Sequence, residues 1–376
     1  MRIAFLIQEI SPNAGQTNAI AQIIDYLSHK DEIQIDIFSK HVKYPLLPQL
    51  INRNINVIEI QDLYSSIIFK KKLGNKLKSY DLIYIKGSYP YVFPASYCKK
   101  PTILVVHQID PINMGKNLNQ KIRLLLIKLI TSYVLKKPTQ IVTVSEELRQ
   151  YYKNRYGINA YLIEDQISPI FYTEKQRLNV KEENAINLLS VGYWDGDHKY
   201  SGRKRHDILL YNFYKALSEF PKMKIHLVGL NRENIIEIKK LPFYDKISSN
   251  TKMSGFMDEQ ALLKEYLNND IYVTATSYEG FYRQIVEAFA TGMPALVFDS
   301  RILIKEASAC ASVNHILKSE AGTIYKDSDS FINGIREILK NYTIYSKNAI
   351  IYSRSFSYNT AGDKTYLLIK KLINKY

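Results

Sequence analysis

Cysteine is nearly absent: Cys98 and Cys310 are the only two among 376 residues. Two thiols so far apart in the chain form neither a disulfide framework nor a zinc-ligand set, and a reducing compartment is expected. Long apolar runs are missing as well. The nearest to one, Ile122–Leu135, is interrupted by Arg123 and Lys128, and a spanning helix needs roughly 20 apolar residues. The start, MRIAFLIQEISPNAG, has an apolar run too short for a signal peptide, so Arg2–Ile7 reads as a buried first strand. A cytoplasmic protein that spans no membrane is the expectation. Acidic residues are in short supply: 51 Lys and Arg face 36 Asp and Glu, a net charge of +15. Such an excess attracts phosphorylated substrates, an anionic bilayer surface or nucleic acid. AT-rich coding, which enriches Lys, Ile, Asn and Tyr, gives the same excess with no partner at all. Neither a recognition helix nor an aromatic platform motif is present, so nucleic acid is not an expected partner.

What the sequence does have is alternation. Short β-branched runs separate longer amphipathic stretches, the pattern of a parallel sheet with crossover helices. RIAFLI from Arg2, IQIDIF from Ile33, INVIEI from Ile55, LIYIK from Leu82, TILVV from Thr102 and QIVTV from Gln140 read as strands. Asn18–Ser28 reads as a helix, with Ile20, Ile23, Ile24 and Leu27 on one face. The pattern then restarts. NLLSV from Asn187, MKIHLV from Met223, IYVTA from Ile271 and PALVF from Pro294 read as strands, with a helix near Asp207–Glu219. Polar Thr173–Asn184 separates the two series and reads as a linker. The last segment, Tyr358–Tyr376, offers Tyr366, Leu367, Ile369, Leu372 and Ile373 for packing. Two facing α/β domains follow, and nucleotides bind such folds at the carboxyl ends of the strands.

The segment richest in chemistry is Tyr278–Asp299, YEGFYRQIVEAFATGMPALVFD, running from a strand end into a helix. Gly280 lets a ligand approach the backbone, and the first amides of the helix offer donors beside a positive dipole end. Glu279 at the turn suits the hydroxyls of a sugar. Glu287, two helical turns on, suits a ribose diol, which two carboxylate oxygens can accept together.

Glu-Gly-Phe, then Glu-Ala, then Gly-x-Pro, after a strand and Ser277, resembles the E-x7-E region of retaining GT-B glycosyltransferases of the family 4 type, also called glycosyl transferases group 1. LLSVG at Leu188–Gly192 is similar to the first strand of that family's C-terminal domain, and Lys204 in KRHDILLYNF matches its lysine. MSGFMDEQALLKEYLNNDIYVTAT (Met253–Thr276) matches the strand, helix and strand before the Glu motif. SEAGTIY at Ser319–Tyr325 and the start of the terminal helix at Ser353–Tyr358 extend the likeness.

The resemblance implies a GT-B fold: residues 1–175 as the acceptor domain, 185–355 as the donor domain, and 356–376 as a helix crossing back to the first. It implies glycosyl transfer from a nucleotide sugar, UDP- or GDP-linked, with retention and without cofactor or metal. A glycan or lipid-linked acceptor and an anionic membrane surface are the other implied partners. Catalytic roles fall on His107 at a strand end, on Lys204, whose charge would stabilise the leaving diphosphate, and on Glu279, which would contact the donor sugar. Donor binding falls on Gly15, Gly255, Phe256, Gly280, Phe281, Tyr282 and Glu287. Two departures stand out. The family's arginine after Gly192 is replaced by Tyr193, leaving Arg203, Arg205 or Arg283 to supply a second cation. Tyr282 replaces the family's second glycine and is expected to narrow the donor pocket or change its sugar preference. The basic apolar stretch Gln120–Lys137, with Lys70–Lys72, Lys76 and Lys78, suits either a membrane interface at the cytoplasmic face or a place in the core. A sugar-nucleotide epimerase or phosphorylase, or a catalytically impaired nucleotide-binding homologue, are the competing readings.

Overall fold

A computed structural model of the chain describes residues 1–11, 15–60, 67–87, 91–107, 129, 131–173, 185–192, 203–303 and 311–376. The chain divides into two compact units. One comprises Met1–Gln166 with Tyr358–Tyr376, the other Ile167–Ser357.

Seven described strands build the first unit: β1 Arg2–Ile10, β2 Gln34–Val42, β3 Ile55–Glu59, β4 Leu82–Lys86, β5 Thr102–Val106, β6 Gln140–Thr143 and β7 Tyr161–Leu162. They form one sheet in the order β3-β2-β1-β4-β5-β6-β7, and every pairing is parallel. β1 lies between β2 and β4, and consecutive Ile3, Ala4, Phe5 and Leu6 are fully buried, so both of its faces are covered. This is why its sequence is a continuous apolar run, whereas edge strand β3 has no fully buried residue. The short strand β7 was not evident in the sequence.

The helix Gly15–Ser28 buries Ile20, Ile23, Ile24 and Leu27 and packs against the terminal helix Tyr358–Lys375. The two approach closely at Gly362, where a Cβ would come within 2.4 Å of the Tyr26 ring. Tyr26 also donates its hydroxyl to Asp363. The buried face of the terminal helix is Ala361, Thr365, Leu368, Ile369 and Leu372. Leu367, expected to pack, is exposed instead, because Leu368 holds the position one turn before Leu372.

The second unit repeats the plan with β8 Asn187–Val191, β9 Lys224–Val228, β10 Thr251–Ser254, β11 Ile271–Thr274, β12 Ala295–Phe298 and β13 Gly322–Tyr325. Their order is β10-β9-β8-β11-β12-β13, again parallel throughout. One core gathers Leu188, Ile225, Leu227, Val273 and Leu296 from the strands, with Leu209 and Phe213 from the helix His206–Ala216 and Phe331 and Ile335 from the helix Ser328–Lys340. Each unit is thus a doubly wound α/β layer structure. Among the described residues no helix is long and apolar enough to cross a membrane. Most of the Gln120–Lys137 stretch, and Cys310, lie outside the described residues; Cys98 is buried.

Candidate active site

In the second unit β8 and β11 are neighbours, but the chain leaves β8 toward β9 and leaves β11 toward β12, in opposite directions. Loops diverge at such a switch point and open a crevice at the carboxyl ends of the strands. Two loops meet there. The one after β8 returns at Arg203-Lys204-Arg205, and the one after β11 carries Ala275–Tyr282. Ser277 ties them, since its amide and its hydroxyl both donate to the Arg203 carbonyl, at 2.8 and 3.0 Å.

The charged side chains complete the junction. Lys204 Nζ donates to Glu279 Oε1 at 2.7 Å, and Arg203 donates to the other oxygen, Oε2, at 3.2 Å. Lys204 is only 5% exposed and Glu279 13%. The lysine stem crosses Gly192, where a Cβ would come within 2.9 Å of Lys204 Cε, so the glycine at the end of β8 leaves the lysine its path. Burial alone would pull the ammonium's pKa down, but Glu279 and Tyr282 outweigh it, and the pKa is raised. Lys204 therefore stays charged at neutral pH. The neighbouring His206 is fully buried, and burial together with the Lys204 charge lowers its pKa to about 4, so it is neutral. One carboxylate thus faces two cations, an arrangement with positive charge left for an anionic ligand.

The helices that start at the junction add to this. His206–Ala216 follows Arg205 at φ +47°, and Arg283–Ala290 follows Tyr282 at φ +68°. Both starts are left-handed, and neither helix is capped by a side chain. Three other starts in the unit are capped, by Asn231, Asp258 and Asp327 ahead of the helices Arg232–Lys239, Glu259–Asn268 and Ser328–Lys340, whereas Tyr342–Ser353 follows Asn341 without a side-chain cap but with an ordinary negative φ. An uncapped start presents its first-turn amides, with the dipole, to an anion.

The other sequence-derived residues of this unit fall into distinct places. Glu287 is buried on the helix Arg283–Ala290; Tyr266 donates to its Oε2 at 3.0 Å, and Arg283 lies 3.7 Å from Oε1. Arg205 grips Asp207 through two bonds of 3.1 and 3.0 Å, which turns it to its own helix. Gly280 is buried in the loop. The Phe281 ring packs among His315, Phe356 and Tyr352's cluster, with centroids 5.1 Å from His315 and 5.2 Å from Phe356, and its carbonyl meets His315 Nε2. Tyr282 is buried too. Its hydroxyl lies 2.6 Å from Thr274, 3.1 Å from Tyr272 and 3.2 Å from Thr276, and Lys204 Nζ stands 4.4 Å above its ring. The narrowing of a pocket expected from its bulk gives way to a place inside the unit.

Two features escaped the sequence reading. Strands β8, β9 and β10 are followed by Gly192, Gly229 and Gly255, and these three positions adjoin: the Gly192 amide donates to Val228, the Gly229 amide to Ser254 and Gly255, each at 2.9 to 3.1 Å. The glycine row leads to Phe256, which is exposed. The Val-Gly ending shared by β8 and β9 was the available signal. Beside the row, His226 on β9 joins Glu265 through Nδ1 and Ser254 through Nε2, both at 2.8 Å. No sequence spacing announces that chain, because its members come from three elements.

In the first unit, His107 directly follows β5, with its ring 3.7 Å from the Cβ position of Gly87 after β4. Gly15 is the first residue of the helix Gly15–Ser28. Both stand at the carboxyl side of that sheet.

Comparison with known proteins bears on this geometry. The profile of the family described as glycosyl transferases group 1 matches residues 198–356, which include Arg203, Lys204, Glu279 and Glu287. No curated protein sequence matches the chain. Solved structures do. Anabaena HepE, solved in complex with UDP and glucose, is 15% identical with a TM-score of 0.71 over 99% of this chain and 100% of its own. Sucrose-phosphate synthase from Thermosynechococcus elongatus is 15% identical, TM-score 0.74, over all of both chains. A glycosyltransferase from Rickettsia africae is 14% identical, TM-score 0.75, over 100% of this chain and 99% of that one. The fold is GT-B.

The metal-free expectation meets two Asp-x-Asp triplets, a spacing known to suit metal ions. Asp195-Gly196-Asp197 lies outside the described residues. In Asp327-Ser328-Asp329 the first aspartate caps a helix by accepting from the Ser330 amide at 2.9 Å, which accounts for that triplet structurally. Among the described residues no group of three His, Cys, Asp or Glu is placed to hold a metal ion.

Proposed function

We propose that this protein is a retaining, metal-independent glycosyltransferase that moves a sugar from a UDP- or GDP-sugar to a hydroxyl of a glycan or lipid-linked acceptor, in cell-surface polysaccharide or glycoconjugate assembly. The observation that carries this reading is the Lys204–Glu279 pair, 2.7 Å apart at the switch point, with Arg203 on the same carboxylate. A donor diphosphate entering there draws the Lys204 ammonium from Glu279, and Glu279 is released to accept from the donor's sugar hydroxyls. Glu287 takes the ribose diol, and the amides of the helix Arg283–Ala290 meet the phosphates.

In the reaction the bond from the anomeric carbon to the phosphate oxygen breaks, and a bond to the acceptor oxygen forms on the same face. The acceptor proton passes to the leaving phosphate, so no protein nucleophile is required. Lys204 and the helix amides stabilise the charge that develops on that phosphate, where such groups act most strongly. His107 and Gly15 belong to the unit we assign to the acceptor, and the place of work is the cytoplasmic face of the membrane. That Anabaena HepE binds UDP and glucose on the same fold supports a nucleotide-sugar donor.

The test is direct. The protein is incubated with UDP- and GDP-sugars and a panel of glycan and lipid-linked acceptors, and products are read by mass spectrometry and the anomeric configuration by NMR. A glycoside of the donor's configuration, formed equally with EDTA present, is the expected result. Inversion refutes retention, loss of product in EDTA refutes metal independence, and an epimerised donor places the chain in another class. Tyr193 in place of the family's arginine favours a second reading, a nucleotide-sugar binder without turnover, which predicts donor binding with no product from any acceptor.

A further inference from the structure

Tyr282 occupies a backbone conformation that bulky residues avoid, at φ +68° and ψ +66°. A left-handed tyrosine ahead of a helix persists only where its surroundings hold it there. What holds it is visible. The hydroxyl is enclosed by Thr274 at 2.6 Å and Tyr272 at 3.1 Å, both on β11, and by Thr276 at 3.2 Å just past its end. Tyr272 in turn reaches the Val191 carbonyl of β8 at 3.4 Å, so the web spans both strands of the switch point. The ring anchored in this way turns one face to the Lys204 ammonium, 4.4 Å from its centroid. A buried cation over an aromatic face is held electrostatically by the ring quadrupole, and more strongly for being shielded from water.

Three constraints therefore converge on one ammonium: the Glu279 carboxylate on one side, the Tyr282 face beneath, and the Gly192 backbone along its stem. They differ in kind. The carboxylate competes with any anion for the lysine, whereas the ring does not, since its face attracts the cation whether or not an anion is also bound.

We infer that Tyr282 is a positioning residue for Lys204: its ring keeps the ammonium at the switch point while the charge partner changes from Glu279 to the donor diphosphate. This rests on the proposed donor site and adds a role for a residue that the bare glycosyltransferase motif does not supply. The strain at Tyr282 has a use on this account, because a glycine there would satisfy the backbone and leave the lysine without its support.

The experiment is a double-mutant cycle of Tyr282→Leu and Lys204→Met, read as kcat and KM for donor turnover, with UDP and GDP binding by calorimetry and folding by circular dichroism. In the wild-type background Tyr282→Leu is expected to lower kcat about 10- to 30-fold, the scale of a desolvated cation–π contact, with KM changed far less. In the Lys204→Met background it is expected to change kcat less than about 2-fold, the signature of two residues acting as one. Tyr282→Phe, which keeps the ring face but loses the hydroxyl that anchors it, should fall between the wild type and the Leu variant. Should Tyr282→Leu fail to fold, fluorinated phenylalanines at 282 keep the shape and thin the electron density of the face; kcat falling stepwise with fluorine number supports the inference, and kcat indifferent to fluorination overturns it. Equal losses from Tyr282→Leu in both backgrounds also overturn it. Wild-type protein that binds neither UDP nor GDP overturns the donor-site reading itself and this inference with it, whereas binding and turnover with an additive cycle overturn this inference alone.

Discussion

Replacing Lys204 by Met removes the ammonium and keeps an apolar stem of similar length across Gly192 and over Tyr282. At 2.7 Å and an effective dielectric near 20, the attraction to Glu279 is about 6 kcal/mol before desolvation is charged against it. Breaking a buried pair by removing one partner costs about 3–5 kcal/mol, chiefly because the other charge is left in a poor place. Here Arg203 remains on Glu279 at 3.2 Å, so the lower end, about 3 kcal/mol, is the expected loss of stability. Adding Glu279→Gln removes the stranded charge, and the double variant should regain most of that loss, since neutral replacements of a buried pair are often close to neutral in effect. Activity behaves differently if the donor uses both groups. Lys204→Met should lower kcat/KM by roughly 10²-fold, and the double variant should be no better. Urea denaturation followed by fluorescence or circular dichroism gives the first quantity and donor turnover the second. Recovery of activity along with stability in the double variant would show that the pair is structural and would sink the mechanism. Full activity in the single variant would move the phosphate cation to Arg203 or Arg283.

Other consequences can be checked separately. Glu287→Ala should weaken UDP or GDP binding at least about 10-fold, the loss of a two-oxygen contact, and Tyr266→Phe should weaken it less by releasing the carboxylate it orients; calorimetry on folded variants decides. Folded His206 has its pKa lowered to about 4 against an ordinary 6.5, so its contribution to stability is full above pH 6.5 and is lost as pH falls toward 4, by about 3 kcal/mol in all. His206→Gln should flatten that part of the stability curve, and an unchanged difference between pH 7 and pH 4.5 would refute the assignment. Peripheral membrane binding is tested by flotation with anionic vesicles: association at low salt is expected through Gln120–Lys137, and no association would remove the membrane from the proposal.

The central strands of both sheets were legible because they are buried on two faces and so read as unbroken apolar runs, as RIAFLI and LIYIK do. β7 and β13 were not evident as strands, being two and four residues long, and β13 begins at a glycine with no apolar run before it. Glu279, Glu287 and Lys204 were legible as motif positions, since each has a fixed offset from a strand end or helix start. Their geometry was not. Nothing in SGRKRH separates Lys204, buried on Glu279, from Arg205, turned to Asp207, because that choice depends on where the backbone passes to φ +47°. Phe281 and Tyr282 were assigned to the ligand on motif position, yet their rings are buried in the unit, a distinction that depends on side-chain direction and not on spacing. The Ser254–His226–Glu265 chain was invisible for the same reason, as its members meet only through the β9–β10 register and the helix above it.

Two positions of backbone strain, Arg205 and Tyr282, bear on the same chemistry. A left-handed non-glycine residue costs roughly 1–2 kcal/mol, so two of them at adjacent helix starts require compensation. Arg205 has it in the paired bonds to Asp207, and Tyr282 in the hydroxyl web around Thr274. Asn, Asp or Ser would begin these helices at less cost by capping them, as Asn231, Asp258 and Asp327 do nearby. A cap, however, places an oxygen on the second or third amide of the helix, where an incoming phosphate oxygen would otherwise sit. Among the described helix starts of the unit, a left-handed residue and a missing cap occur together at the two that flank Lys204 and Glu279, whereas the uncapped start at Asn341 keeps a negative φ. That pairing is what the proposed donor site calls for, since it keeps helix amides and one buried lysine open to a diphosphate.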